Sequence, residues 1–383
     1  MDIAPLYQLA VLGDVAPDVR ASFSEVLQSK VSELGLRLGV TVSLFFGTAC
    51  DFRPSDDRCA AALCFPASGN EECLRWLIER NIPLIPVATS ASAFTTEFHG
   101  VLAPLNGLSL DRVGPSELAN ALLECASLLP RQRRVFLSYR RAESTEAALQ
   151  LYAALSARLF DVFLDTHGVY PGQHFQDVLW QRLADSDVLL FLDTPGYFES
   201  RWTSAEFGKA QWRGIPVLRA AWPNTPLDKR AQMATSLELK EDNFVVDTGR
   251  LTREAEQFIC DEVERMRTVS VTARYKQLVS TMSDSIRRGG GRIEGTSLRR
   301  SLIVSTAAGQ RVAVYPALGV PTTYTLHDAT RDGHAPPVAV LYEESEVEER
   351  EWHAHMKWIS QYLNQAVRLV DSYRSGAIFQ DWR

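Results

Sequence analysis

No C-x-x-C pair occurs among the six cysteines of this 383-residue sequence. Their positions, 50, 59, 64, 73, 125 and 260, follow no zinc-binding spacing. That argues against a structural metal, and buried free thiols in a reducing compartment are expected instead. Missing too is any apolar run long enough to cross a bilayer, so no membrane association is expected. Met1-Asp2-Ile3-Ala4-Pro5 lacks the basic start and apolar core of an export signal, which points to a cytoplasmic protein. Positive charge is not in excess: 40 Lys and Arg stand against 47 Asp and Glu, for a net charge of −7. Broad nucleic-acid binding is therefore not expected, although a local basic patch is compatible with that balance. A phosphate-cradling glycine motif is also absent, since Gly289-Gly290-Gly291 lacks the strand–turn–helix context and reads as a linker. His353 and His355 lie two apart on a predicted helix and point in different directions, as surface residues do. What remains is an ordinary globular composition, 46% hydrophobic and 23% charged, at a length that calls for two or three domains.

The middle third reads most clearly. Arg134 to Tyr139, Asp161 to Asp165, Asp187 to Asp193, Ile215 to Ala220 and Asn243 to Asp247 are predicted strands. The run DVLLFLD at 187–193 is continuously apolar inside its ends, as a parallel strand covered on both faces must be. Between the strands lie helical patterns over Glu143–Phe160, Phe175–Leu183 and the stretch bearing Trp202 and Glu206, with a loop at Pro171-Gly172 and a last helix from Thr252 to about Arg267. Alternation of this kind specifies a doubly wound parallel sheet, whose ligands sit beyond the carboxyl ends of the strands. Tyr139, Arg140, Asp165 and the start of the Trp202 helix fall at that edge.

Residues 1–130 read as a smaller α/β unit with strands at Tyr7–Gly13, Val40–Phe46, Cys59–Phe65 and Ile82–Val87. The run IPLIPV at 82–87 resembles Ile215-Pro216-Val217 in sequence and in position, which suggests a degenerate copy of the central unit. Beyond Arg267 a helix is predicted over Arg274–Arg288, then strands at Leu302–Ser305, Val312–Tyr315, Tyr324–Leu326 and Val338–Tyr342. Glu346 to Tyr373 carries Trp352, Met356, Ile359, Leu363, Val367 and Val370 at helical spacing, and reads as one long helix whose stripe is either a core face, the simpler reading, or a partner-binding face.

The segment Ser200-Arg201-Trp202-Thr203-Ser204-Ala205-Glu206 places an acid one helical turn after an indole. At a spacing of four the two share a face and can stack a flat heterocycle while holding a neighbouring sugar. A surface helix yields the same pair by chance, so the pair alone does not decide.

From Arg133 to about Arg267 the sequence resembles a TIR (Toll/interleukin-1 receptor) domain. The matching residues are Val135-Phe136-Leu137-Ser138-Tyr139, Asp165, Pro171-Gly172-Gln173-His174-Phe175, Ser186-Asp187, Thr194-Pro195-Gly196-Tyr197, Ser200, Trp202, Glu206 and Ile215-Pro216-Val217. The resemblance implies a flavodoxin-like doubly wound sheet over 133–268, flanked by the N-terminal α/β unit 1–130 and a C-terminal α+β unit 270–383 of unknown role. It also implies NAD+ as a substrate, with no cofactor. The activity would be glycohydrolase or cyclase cleavage of the nicotinamide–ribose bond, with Glu206 as the catalytic carboxylate and Trp202 stacked on the substrate. Tyr139, Arg140, Asp165, Phe175 and Ser200 would surround it, Phe175 on a loop that covers the site. Arg140 is either a phosphate contact or a solvated partner of Arg141, and Tyr139 and Asp165 either line the pocket or brace loops. Related TIR domains self-associate, and some lack the glutamate and act only as adaptors. The two flanking units leave room for a small-molecule or protein activator, and bacterial anti-phage defence is the expected setting by analogy.

Overall fold

The computed structural model describes residues 5–56, 58–128, 133–164, 182–183, 185–199, 214–296, 300–343 and 350–382. The chain divides into two compact units, a central one at 129–271 and a discontinuous one formed by 1–128 with 272–383. The division falls inside one helix, Arg253–Arg288.

In the central unit five parallel strands, β6 (Arg134–Ser138), β7 (Asp161–Leu164), β8 (Val188–Asp193), β9 (Val217–Ala221) and β10 (Thr235–Glu238), lie in the order β10-β9-β8-β6-β7. Counted along the chain this is 2-1-3-4-5, the flavodoxin-like winding. β8 is buried at every position and β9 likewise, as strands covered on both faces require. Helix Arg141–Ala157 turns Ala147, Ala148, Leu151 and Leu155 onto the sheet, spaced by three or four.

The fifth strand is not where the apolar run FVVD suggests it. It is the mostly exposed TSLE segment at 235–238, which pairs with β9, whereas Phe244 makes only an isolated bridge to Leu251. Val245 and Val246 are 46% and 82% exposed, so their apolar character marks a surface turn. The predicted break between two helices at 268–273 is absent as well. Thr268, Ser270 and Thr272 are weak helix formers but are buried in Arg253–Arg288, and packing overrides their propensity.

The discontinuous unit holds two sheets. β1 (Tyr7–Leu12), β2 (Val42–Gly47), β3 (Cys59–Cys64), β4 (Leu84–Ala88) and β5 (Leu108–Ser109) are parallel in the order β2-β1-β3-β4-β5, the same 2-1-3-4-5 winding as the central sheet. β1 leads into Gly13, whose φ of +98° leaves the L-residue region and whose missing Cβ would sit 2.5 Å from the Pro66 carbonyl oxygen. Gly13→Ala is therefore expected to destabilise the protein by about 1–3 kcal/mol, read as a lower denaturant midpoint at unchanged slope.

The expectation of six free thiols fails for two of them. The loop after β2 and the helix Glu71–Glu79 bring Cys50 and Cys73 to a Cα separation of 5.0 Å, and the two are disulfide-bonded. A pairing across 23 residues of chain leaves no mark in local spacing. Cys59, Cys64, Cys125 and Cys260 are buried thiols outside any disulfide, as expected.

The second sheet runs β11 (Arg292–Thr296), β12 (Leu302–Ser305), β13 (Arg311–Pro316), β14 (Val338–Tyr342), β15 (Val367–Asp371), antiparallel in its first two pairings and parallel in its last two. Three readings change here. Tyr324–Leu326 lies in a helix, Thr323–Ala329, whose N-terminus is capped by the Thr322 hydroxyl. The long helix stops at Leu363, and Val367–Asp371 is a strand that buries Val367 and Val370 beside β14. Gly289–Gly291 is no linker: it turns the helix end directly into β11, with Gly290 at φ +80° and a Cβ on Gly291 set to meet the Ser305 carbonyl oxygen at 2.7 Å.

Candidate functional site

The carboxyl edge of the central sheet is built from the exits of β6, β8 and β9. β6 delivers Ser138, Tyr139 and Arg140. Ser138 is fully buried and its hydroxyl lies 2.7 Å from the Tyr197 hydroxyl, joining the end of β6 to the turn after β8. Tyr139 is 6% exposed and packs into the core with Ala147, Leu151 and Leu192.

Arg140 caps the helix Arg141–Ala157 with extended backbone, and its guanidinium reaches back across the edge. Nη1 donates to Glu143 Oε1 at 2.9 Å and to Glu199 Oε2 at 3.1 Å. The other oxygen of Glu143 accepts the Gly196 amide at 3.1 Å. Gly196 is required for this approach, because a Cβ there would fall 1.2 Å from Arg140 Nη1. The two carboxylates differ in strength. Glu143 is 30% exposed, whereas Glu199 is 74% exposed, and a pair that open contributes about 0–1 kcal/mol. An incoming phosphate can displace Glu199 from Arg140 at little cost. Neither acid was singled out from the sequence; Glu143 could have been, three residues beyond Arg140 at the start of a helix, but Glu199 carried no signal.

Behind the edge, Asp193 and Arg219 form a buried clamp. Arg219 Nε donates to Asp193 Oδ2 at 2.5 Å, Nη1 to Glu238 Oε1 at 2.6 Å, and Nη2 to the Thr225 carbonyl at 3.0 Å, so one side chain ties β8, β9 and β10 together. Burial pushes the Asp193 carboxyl above its ordinary range, and the hydrogen bond from Arg219 offsets part of that. The turn Tyr197–Glu199 is held by Phe191 against Tyr197 and by Arg230, which lies 4.2 Å over the Phe198 ring and donates to the Phe198 carbonyl at 3.2 Å. Arg230 is fixed in turn by Asp228, whose carboxyl its hydrogen bonds pull down to about 2.

Two of the seven predicted site residues, Tyr139 and Arg140, thus meet at one edge. Asp165, Phe175, Ser200, Trp202 and Glu206 lie outside the described residues. Among the described residues no group of three or more metal-ligating side chains occurs, and no helix is long and apolar enough to cross a membrane. Burial raises the thiols of Cys64 and Cys260 to about 12, so neither is a thiolate nucleophile near neutral pH. Beside β7 in the central unit a hollow of about 300 Å³ is lined, among the described residues, by Leu149, Tyr152, Val162, Phe163 and Leu164, none of them charged.

Residues 135–245 match the family model described as TIR domain. No curated protein matches the chain. Among solved structures, a PurR family transcriptional regulator from Vibrio parahaemolyticus RIMD 2210633 aligns with 68% of this chain and 92% of its own at 13% identity, with a TM-score of 0.19. CD0873, a substrate binding protein with adhesive properties from Clostridium difficile in its ligand-free, open form, aligns with 83% of this chain and 97% of its own at 11% identity and a TM-score of 0.20. TM-scores this low establish no shared fold.

Proposed function

We propose, from the premise that residues 135–245 are a TIR domain, that the chain is an NAD+ glycohydrolase or cyclase acting in the cytoplasm. The observation that carries this reading is the Trp202-x-x-x-Glu206 pair, which follows the third strand of a flavodoxin-like sheet in the TIR order.

The chemistry asks little of the protein. Nicotinamide is cationic in NAD+ and leaves neutral, so no acid has to protonate it. The positive charge passes to the ribose ring, as in glycoside cleavage, and one carboxylate can stabilise it. In this scheme Glu206 faces the ribose, Trp202 stacks on a flat ring, and Ser200 and Asp165 shape the pocket. Phe175 sits on the loop that closes over it. Arg140 exchanges its exposed partner Glu199 for a substrate phosphate, which guanidinium binds through two nitrogens, while Tyr139 braces the strand end from the core side. NAD+ is consumed as substrate and no cofactor takes part. Self-association through TIR surfaces would complete the closing loop, and the discontinuous unit is available to receive an activator. Host defence against phage is the setting this activity would serve.

Incubating the full chain with NAD+ and separating the products by chromatography tests the proposal. Free nicotinamide is expected, together with ADP-ribose or a cyclised form, and turnover per molecule should rise with protein concentration. Intact NAD+ at every protein concentration, with a TIR domain that still self-associates, would leave only an adaptor role.

A further inference from the structure

We propose that the discontinuous unit contains an oxyanion site whose ligand is a small phosphate-bearing molecule, with one phosphoryl group entering a cationic pocket at the amino ends of β3 and β4. The reading is independent of NAD+ cleavage, which concerns the other unit and the opposite kind of sheet edge.

The pocket lies where Ser55, Asp56 and Arg58 lead into Cys59 and Ala60 of β3 and residues 80–83 into β4, and Cys125, Thr272, Tyr275, Lys276 and Arg300 supply the rest of its described lining. Its volume, about 30 Å³, decides the size of the guest. A single water needs about 10–15 Å³ on this measure, so there is room for the oxygens of one anionic group and none for a nucleoside. Among the described lining residues Arg58, Arg80, Lys276 and Arg300 stand against one carboxylate, Asp56. That carboxylate is shared, 3.4 Å from Lys276 Nζ and 3.8 Å from Arg80 Nε. The excess of positive charge suits a tetrahedral dianion better than a single carboxylate.

Arg300 and Tyr275 point to a ligand independently of the charge count. No carboxylate among the described residues pairs with Arg300. Its guanidinium lies 3.4 Å over the Tyr275 ring, Nη1 donates to the Ser127 hydroxyl, and Nε is buried without a partner. Arg300 also holds φ +59°, a conformation that residues with a Cβ rarely adopt. Tyr275 is 3% exposed, and its hydroxyl meets no hydrogen-bond partner of good geometry although Arg300 and Thr296 lie beside it. Burial raises its pKa, with the Arg300 charge pulling part of the way back, so the hydroxyl stays a neutral donor. Buried donors without acceptors are costly and rare, and an oxyanion supplies the acceptors that these lack.

Thermal unfolding of the full chain in inorganic phosphate, against chloride of equal ionic strength, gives the test. Phosphate should raise the midpoint in a saturable way and chloride should not. Adenosine monophosphate, run in parallel, separates free phosphate from a nucleotide phosphate: tighter binding of the nucleotide means that the ligand continues outside the pocket, and either ligand supports the site. Arg300→Gln and Tyr275→Phe should each weaken phosphate affinity about tenfold or more, the effect of one hydrogen bond to a charged group. Tyr275→Phe should do so without lowering the midpoint in chloride, because the hydroxyl it removes makes no hydrogen bond of good geometry within the chain. The proposal is overturned if neither anion shifts the wild-type midpoint more than chloride does, or if Tyr275→Phe keeps full phosphate affinity.

Discussion

Glu206→Gln is expected to lower nicotinamide release by at least about 10²-fold while leaving the thermal midpoint of the chain unchanged. The proposal gives Glu206 one task, to oppose the charge that develops on the ribose ring. At about 4 Å and an effective dielectric near 20, opposite unit charges attract by about 4 kcal/mol, which corresponds to about three orders of magnitude in rate. Glutamine keeps the shape of the side chain and its hydrogen bonds to sugar hydroxyls, but loses the charge. Because that charge matters most once the bond has begun to break, kcat should fall far more than KM rises. Trp202→Ala should do the reverse, raising KM through lost stacking and disturbing kcat less. A Glu206→Gln enzyme within about tenfold of the wild type, folded and binding NAD+, would move the chemistry to another group or end the enzymatic reading.

Much of the arrangement that makes this test worth running was legible in the residues. The apolar run of β8 and its place between two helical patterns imply a central parallel strand, and the strand order then puts Tyr139 and Arg140 at the ligand edge. What stayed illegible depended on partners distant in the chain. β10 is polar because Ser236 and Glu238 meet Arg219 on one face, and on the other only Leu237 packs on the core, so no hydrophobic period announces it. β15 has apolar residues three apart, a spacing that a helix also allows, and only pairing with β14 resolves it. The hold of Glu199 on Arg140 spans 59 residues, and the lining of the cationic pocket is gathered from positions between 55 and 300. Periodicity reports which face a residue takes, whereas these contacts depend on how whole elements are wound.

Glu264→Gln should be among the most destabilising single substitutions in the central unit, costing about 3–5 kcal/mol. Four charged side chains are closed off there from water: Arg133 and Arg267 are 0% exposed, Glu264 1% and Asp187 7%. Arg133 holds Glu264 with two parallel bonds, Nη1 to Oε1 at 3.1 Å and Nη2 to Oε2 at 2.6 Å, while its guanidinium covers the Phe160 ring at 4.2 Å. Arg267 Nε donates to Asp187 Oδ2 at 2.9 Å, and the same oxygen accepts the Arg134 amide at 3.1 Å. Two cations and two anions cancel, so the cluster is tolerable only as a set. Removing the Glu264 charge leaves Arg133 buried beside a neutral amide and the cluster one positive charge in excess. For a unit of this size each kcal/mol moves the thermal midpoint by about 2–4 °C, so a fall of roughly 10 °C is expected. Replacing both partners, Arg133→Met with Glu264→Leu, should cost less than Glu264→Gln alone, since it removes both desolvation terms together. The cluster sits at the amino ends of β6 and β8, away from the edge that carries Arg140, so KM for NAD+ measured well below the lowered midpoint should not change. A double variant no more stable than Glu264→Gln would show that the charges contribute through packing rather than through mutual neutralisation.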